Sequence, residues 1–531
     1  MIPAAHWPVD DMLILMTPIR VVLTISTLFM TRTVWGQQSC ESLASLKLPS
    51  ITITSAVWVA AGPFTVPGGR GNNTIQAPAF CRVAATIEKE VWVELWMPKT
   101  WNHKLVAVGN GGLAGSISYA AMVKPLLLGY AASSTDTGHQ ASSTTDGDWA
   151  LGHYDRIVNF ADRATHLMAE ADKVILSRYY AAQPVHAYFT GCSQGGHEAM
   201  IEAQRYPNDF DGIVAGDPAN NWTHHYIGGH LWNALAVDGD GYLTEDKVKI
   251  LADAVNAQCD ALDGVKDGVL NDPRRCKFRP ETLLCQGSDT SNCLTGAQVA
   301  AVEKIWSGLR TPDGQQIYPG LVPGGEAGGW TAYITGTGPG TGRHALLSVP
   351  FFRFFVFEDP AWDIHSFRFS AKDGFDSDID LTDTKLAALF NAVNPDLSQF
   401  RSRGGKLIHY HGWNDPDISS LNSVNYYQSV VRVQGGETHG LANTRTFYRL
   451  FMVPGMWHCA GGPGATTFDM LEPLNEWVEK GTAPERLIAS RQVNGQVQRT
   501  RPLCPYPMEA QWNGAGSTDE AANFVCGLPK P

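Results

Sequence analysis

An α/β fold whose core is interrupted by one long insertion is what this sequence predicts, from three observations. Gly191-Cys192-Ser193-Gln194-Gly195 lies between a strand-like run, Val185-His186-Ala187-Tyr188-Phe189-Thr190, and a helix-like run from Gly195 to Arg205 carrying Ala199, Met200, Ile201 and Ala203. Two later strand-like runs, Lys406-Leu407-Ile408-His409-Tyr410 and Arg449-Leu450-Phe451-Met452-Val453, lead into loops that hold Asp415 and His458. Between the run Gly212-Ile213-Val214-Ala215 and Leu407 lie about two hundred residues, far more than a strand-to-helix connection needs. Strand, sharp turn and helix make a nucleophile elbow, and the chain order Ser, Asp, His is that of the α/β-hydrolase architecture. The predicted fold is an α/β-hydrolase core, residues 37–217 and 382–531, with a large inserted lid domain, residues 218–381.

The elements are justified in order by what each must do. A G-x-S-x-G match alone is weak, since a chain this rich in glycine offers about 0.4 chance matches. The flanking strand and helix give it meaning, because the strained turn lifts the Ser193 hydroxyl clear of the sheet at a helix N-terminus. An oxyanion needs backbone donors. One is expected from Gln194, directly after the nucleophile, and the other from Gly111 or Gly112, where Val106-Ala107-Val108-Gly109-Asn110-Gly111-Gly112 reads as a strand ending in a glycine-rich turn. Asp415, just past a strand end, is the expected acid. Asp417 is its rival, and otherwise reads as a solvated turn carboxylate capping a helix that begins near Ser419. His458 is the expected base. If Ser193 and His458 meet, Cys192 and Cys459 come close enough to bridge, because a disulfide needs Cα atoms about 4.4–6.8 Å apart.

Composition fits a large folded core: the 531 residues are 44% hydrophobic and only 17% charged. A net charge of −12 and a pI near 5.7 argue against nucleic acid or an anionic membrane as partner. Ten cysteines, an even number, suggest an oxidising compartment. Arg20 precedes an apolar stretch, Val21 to Met30, of signal-peptide length, and Val34-Trp35-Gly36 offers a cleavage site, so residues 1–36 are read as a signal peptide and the mature chain as soluble and secreted or periplasmic. Asn72-Asn73-Thr74 and Asn221-Trp222-Thr223 are glycosylation sequons in a eukaryotic source.

Within the insertion, Val349-Pro350-Phe351-Phe352-Arg353-Phe354-Phe355 offers either a ring-binding pocket or insertion core, and Arg353 either a contact for an acidic group or a structural ion pair. Cys259-Asp260-Ala261-Leu262-Asp263-Gly264-Val265-Lys266-Asp267-Gly268-Val269 places three carboxylates at short spacing among turn-forming glycines, which suits a hard cation such as calcium. Its distance from the catalytic segments suggests a structural ion. His224-His225 and His230 suggest zinc, but no cysteine or acid falls at supporting spacing.

The pairing of Cys192-Ser193 with His458-Cys459, together with Asp415, resembles the tannase and feruloyl esterase family of secreted α/β hydrolases. So do Val108-Gly109-Asn110-Gly111-Gly112-Leu113-Ala114-Gly115, Asp136-Thr137-Gly138-His139 and Phe210-Asp211-Gly212-Ile213. The resemblance runs from about Cys40 to the C-terminus. It implies a structural calcium held by Asp260, Asp263, Asp267 and the carbonyls of Val265 and Val269. With proximity, it also implies the pairs Cys259 with Cys276, Cys285 with Cys293, Cys504 with Cys526 and Cys40 with Cys81. The implied activity is serine carboxylic ester hydrolysis through a Ser193–His458–Asp415 triad and an acyl-enzyme. The expected substrates are small-molecule or polysaccharide-linked aromatic esters, feruloyl ahead of galloyl. An inactive carbohydrate-binding or adhesion module is the alternative from another class, and the intact triad argues against it.

Overall fold

Apolar runs bounded by glycine, proline and polar turns form the central sheet of the computed structural model, which describes residues 39–67, 74–370 and 377–529. The expected signal peptide lies outside the described residues. The nine strands are β1 (Ile51–Val59), β2 (Phe80–Ile87), β3 (Val91–Pro98), β4 (Lys104–Val108), β5 (Ala131–Thr135), β6 (His186–Cys192), β7 (Gly212–Gly216), β8 (Lys406–Gly412) and β9 (Tyr448–Val453). They lie in the order β1-β2-β3-β5-β4-β6-β7-β8-β9. The first three form an antiparallel meander, and every pairing from β5 to β9 is parallel. This is the α/β-hydrolase sheet.

Side chains alternate across a strand, and a parallel sheet is covered on both faces, so these strands need apolar residues at successive positions. Phe189, Ile213, Leu407 and Leu450 enter one apolar cluster, while their neighbours Tyr188, Val214, Ile408 and Phe451 enter the other. Each such buried side chain contributes about 1.5–3 kcal/mol. The helices α1 (Tyr119–Leu127), α2 (Ala164–Tyr180) and α3 (Gln194–Arg205) follow β4, β5 and β6. The insertion between β7 and β8 holds α4 (Glu245–Cys259), α5 (Gly296–Ser307) and α6 (Arg343–Phe351); α7 (Ser420–Val433) and α8 (Leu471–Lys480) follow β8 and β9. Residues of α2, α3 and α7 pack on one face of the sheet and those of α1 and α8 on the other.

The insertion buries its own apolar residues. Trp222, Tyr226, Phe351, Phe352, Phe355 and Phe390 form one cluster, which also takes in Leu113 and Trp149 from before β6. Val248, Leu251, Val255, Val302, Ile305 and Trp330 form a second. The aromatic run 349–355 is therefore core, not a ring pocket: Phe351, Phe352 and Phe355 are buried against other rings. Arg353 is likewise structural, donating Nε–H to the Trp362 carbonyl at 2.9 Å. The described residues form one compact unit. Five disulfides cross-link it: Cys40–Cys81, Cys192–Cys459, Cys259–Cys276, Cys285–Cys293 and Cys504–Cys526. Among the described residues no helix is long and apolar enough to cross a membrane.

Candidate active site

The C-terminal ends of β6, β7, β8 and β9 lie side by side, with Cys192 level with Gly216, Gly216 with Tyr410, and Gly412 with Val453. That edge is where open α/β sheets place their ligands. Ser193 sits between β6 and α3 at φ 66°, ψ −119°, a backbone conformation that costs an L-residue strain and is held by its surroundings. The amide of Ser193 donates to the Gly216 carbonyl and its carbonyl accepts from the His197 amide. The turn also needs its glycines. A Cβ on Gly191 would lie 2.4 Å from the Gly195 carbonyl oxygen, and one on Gly196 would lie 2.2 Å from that of Gly216.

The predicted oxyanion loop docks on this elbow. The Gly195 amide donates to the Asn110 carbonyl at 2.8 Å, and the Asn110 amide donates to Glu198 Oε2 at 3.2 Å. Gly111 has open space where a side chain would stand, whereas Gly112, at φ 56°, packs against the Thr144 carbonyl. Gln194 opens α3 directly after Ser193 and is buried. The Asp136-Thr137-Gly138-His139 segment braces the same loop: His139 Nε2 lies 3.0 Å from the Leu113 carbonyl, and Asp136 accepts the amides of Trp92 and Gly138.

His458 and Asp415 leave the ends of β9 and β8 and meet. His458 Nδ1 is 2.8 Å from Asp415 Oδ2. Asp415 Oδ1 accepts the amides of Asp417 and Ile418, which fixes the carboxylate in place. Asp417 is not the solvated turn residue expected of it: it is 3% exposed. Its Oδ2 lies 3.3 Å from His458 Nε2, and its Oδ1 lies 2.8 Å from His230 Nε2. It folds inward because three imidazoles converge there from elements remote in sequence. Burial alone disfavours a charged imidazole, but Asp415 and Asp417 overcome it and raise the His458 pKa to about 9. Burial likewise opposes ionisation of both carboxyls, yet His458 and its neighbours hold Asp415 below, and Asp417 well below, the usual range.

The disulfide from Cys192 to Cys459 ties the residue before Ser193 to the residue after His458, with Cα atoms 5.9 Å apart. Asp217 completes this frame and escaped sequence reading. Fully buried at the end of β7, it accepts the Gly412 amide at 2.7 Å and the Cys459 amide at 2.5 Å, pinning the acid and histidine loops to one carboxylate. Its signal was the one used for Asp415, an acid just past a strand end. His411 was also missed; buried in β8, it lies 3.2 Å from Asp415 Oδ2. The insertion closes over the histidine loop, with Tyr333 edge-on to His458 at 5.7 Å and Gly328 packed against the Trp457 ring.

The segment expected to hold calcium forms a compact acidic turn. Asp260 Oδ1 accepts the amides of Asp267, Gly268 and Val269. Asp263, Val265, Asp267 and Val269 line one cavity together with Arg499 and Arg501. Burial, with Asp267 and Asp260 adding to it, raises the Asp263 carboxyl to about 6, while Asp267 is paired with Arg501 at 2.5 Å and Arg499 at 3.1 Å.

Known proteins resemble the chain over most of its length. The family model for tannase and feruloyl esterase covers residues 75–527. An "Uncharacterized esterase" of Xanthomonas campestris pv. campestris is 39% identical over 96% of this chain and 94% of its own length. A "Probable feruloyl esterase B-2" of Aspergillus fumigatus is 31% identical over 95% of this chain and 98% of its own. The crystal structure of feruloyl esterase B from Aspergillus oryzae superposes with a TM-score of 0.82 at 28% identity, covering 92% of this chain and all of that one. The tannin acyl hydrolase from Aspergillus niger, at 22% identity over 92% of this chain and 95% of that one, shares the fold with a TM-score of 0.73. An elbow serine, an aspartate–histidine pair at the same sheet edge and this breadth of likeness make the chain a carboxylic ester hydrolase of the tannase and feruloyl esterase family.

Proposed function

We propose that the protein hydrolyses aromatic acid esters, feruloyl (hydroxycinnamoyl) esters foremost, by nucleophilic catalysis at Ser193. His458 takes the hydroxyl proton as the Ser193 oxygen bonds to the acyl carbon, then gives it to the departing alcohol as the ester C–O bond breaks. Water, deprotonated by the same imidazole, releases the acid. Asp415 orients His458 and stabilises the imidazolium. The Gln194 amide, with that of Gly111 or Gly112, receives the oxyanion. The observation that carries the reading is the 2.8 Å contact of Asp415 with a histidine stapled by a disulfide beside the elbow serine.

Feruloyl esters come first because the relatives named for that activity are the more similar in sequence: 31% identity for the A. fumigatus protein and 28% for the A. oryzae structure, against 22% for the tannin acyl hydrolase. The Tyr333 ring beside His458 supports a flat acyl group. The alcohol is a simple alkyl group, a polyphenol or a polysaccharide sugar. Five disulfides support work in an oxidising compartment, secreted or periplasmic.

The residues of the acidic turn fit a structural calcium: the half-buried Asp263 and Asp267 line one cavity with Val265 and Val269, and a cation there offsets the burial and the neighbouring acids that raise Asp263. Asp260, Asp263 and Asp267 with the carbonyls of Val265 and Val269 are its ligands in this reading.

Turnover of methyl ferulate, methyl caffeate, methyl gallate and p-nitrophenyl acetate tests the substrate. Methyl ferulate is expected to give the highest kcat/KM; preference for the gallate moves the protein to the galloyl branch, and turnover of the acetate alone ends the aromatic reading. Ser193→Ala is expected to lose at least about 10³-fold in kcat with an unchanged circular dichroism spectrum. Activity within about tenfold of wild type would sink the nucleophile assignment.

A further inference from the structure

Asp417 turns one carboxylate oxygen toward His458 and the other into a sealed group of imidazoles. Its Oδ1 is 2.8 Å from His230 Nε2 and 3.5 Å from His344 Nε2. The ring centres of His230 lie 4.1 Å from His225 and 4.6 Å from His344. One ligand-type atom from each of His225, His230 and Asp417 lies within 4.8 Å of the others. None of the four side chains belongs to a residue more than 3% exposed. Yet neither ring nitrogen of His344, nor Nδ1 of His230, has a hydrogen-bond partner. Native interiors leave few polar atoms in that condition, and a bound ion is one of the few reasons for it.

We propose that His225, His230 and Asp417, with His344 as fourth donor, form a binding site for a divalent transition ion of the zinc class. Ligand bonds of about 2.0 Å in a tetrahedron set donor atoms about 3.3 Å apart. The separations of Asp417 Oδ1 from the His230 and His344 nitrogens, 2.8 and 3.5 Å, bracket that edge, so small side-chain shifts admit the ion there. A set of three nitrogens and one oxygen selects zinc or cobalt over calcium, which takes oxygen ligands. Four protein donors make a closed, structural site. The three histidines belong to the insertion and Asp417 to the loop after β8, so the ion fastens the insertion to the core beside the catalytic histidine. The sequence shows the histidines but not the acid, which arrives 187 residues after His230.

The test uses the full-length protein, stripped of transition ions, reloaded with calcium, and titrated with Zn²⁺ or Co²⁺ alone. One bound equivalent, a raised Tm and the visible absorption of tetrahedral Co²⁺ are expected. His230→Ala and His344→Gln are each expected to lose the signal, while Asp263→Asn in the acidic turn keeps it. Absence of saturable binding to the wild-type protein overturns the proposal without recourse to any variant. So does binding that survives His230→Ala but vanishes in His458→Ala, which would place the ion on the catalytic pair.

Discussion

Two carboxylates share one imidazole in this site, and their separate roles follow from the nitrogen each one faces. Asp415 meets Nδ1 and Asp417 meets Nε2, the nitrogen that must exchange a proton with Ser193 and with the leaving group. Asp415→Asn therefore offers the wrong partner to Nδ1–H and is expected to lower kcat on the order of 10⁴-fold, much more than Asp417→Asn. The general base must be neutral to act. With the His458 pKa raised to about 9, kcat/KM is expected to climb with pH through that region. Asp417→Asn removes one of the three charges, those of Asp415, Asp417 and Asp217, that raise the pKa, so the midpoint should move to lower pH. A profile already flat from pH 7, or an unmoved midpoint in Asp417→Asn, would contradict the arrangement. The same shift bears on stability: a group whose folded pKa lies above its unfolded value of about 6.5 stabilises fully below that value, and the contribution is lost as pH rises through about 9. Asp415 was legible from its place just beyond a strand end in the chain order Ser, Asp, His, a signal that Asp217 shares while pinning the Gly412 and Cys459 amides instead. The burial of Asp417 was not, because its partners His230 and His344 come from the insertion.

The elbow and the two loops that serve it are separate elements, and the structure couples them twice, through the Cys192–Cys459 disulfide and through Asp217. The disulfide closes a separation of 267 residues, which in the chain-entropy model is worth on the order of 5 kcal/mol. Cys192→Ala with Cys459→Ala is expected to lower Tm and kcat/KM together, since the loop that carries His458 loses its tether to the elbow. Asp217→Asn, which weakens the hold on the Gly412 and Cys459 amides while leaving the disulfide, should reduce kcat more than it raises KM. Steady-state kinetics beside thermal melts check both; a double cysteine variant with wild-type kcat would show that the bridge serves stability alone. Strands β6 to β9 were readable because a parallel sheet demands continuous apolar runs, and the elbow because its glycines are sterically forced. The aromatic run 349–355 had two readings for the opposite reason: its composition marks Phe351, Phe352 and Phe355 as apolar but does not say whether their rings meet a ligand or one another.

Across the whole molecule, the acidic turn joins parts of the chain that no strand connects. Cys259–Cys276 encloses it, and Asp267 reaches Arg499 and Arg501 on the strand Gln496–Leu503. The Asn271 side chain donates to the Ala510 carbonyl at 3.0 Å, on a strand paired with Phe524–Gly527. Loss of an ion from this turn would loosen the contact between the insertion and the C-terminal strands, and only indirectly the triad. Carboxylate spacing made the segment recognisable in the sequence, whereas the arginines that share Asp267 lie more than two hundred residues away and carried no local signal. These arginines already neutralise part of the acidic charge, so calcium should act by linkage and not as a condition of folding. At free calcium 100 times Kd the stabilisation is about 2.7 kcal/mol, and for a chain of this size that is a few degrees of Tm. Chelation with a calcium-selective chelator is therefore expected to lower Tm by a few degrees and calcium add-back to restore it. In Asp263→Asn the calcium-dependent part of the shift should vanish. If the purified protein holds no calcium by atomic absorption and chelation followed by calcium add-back leaves Tm unmoved, the turn is held by its amide hydrogen bonds and the two arginines alone.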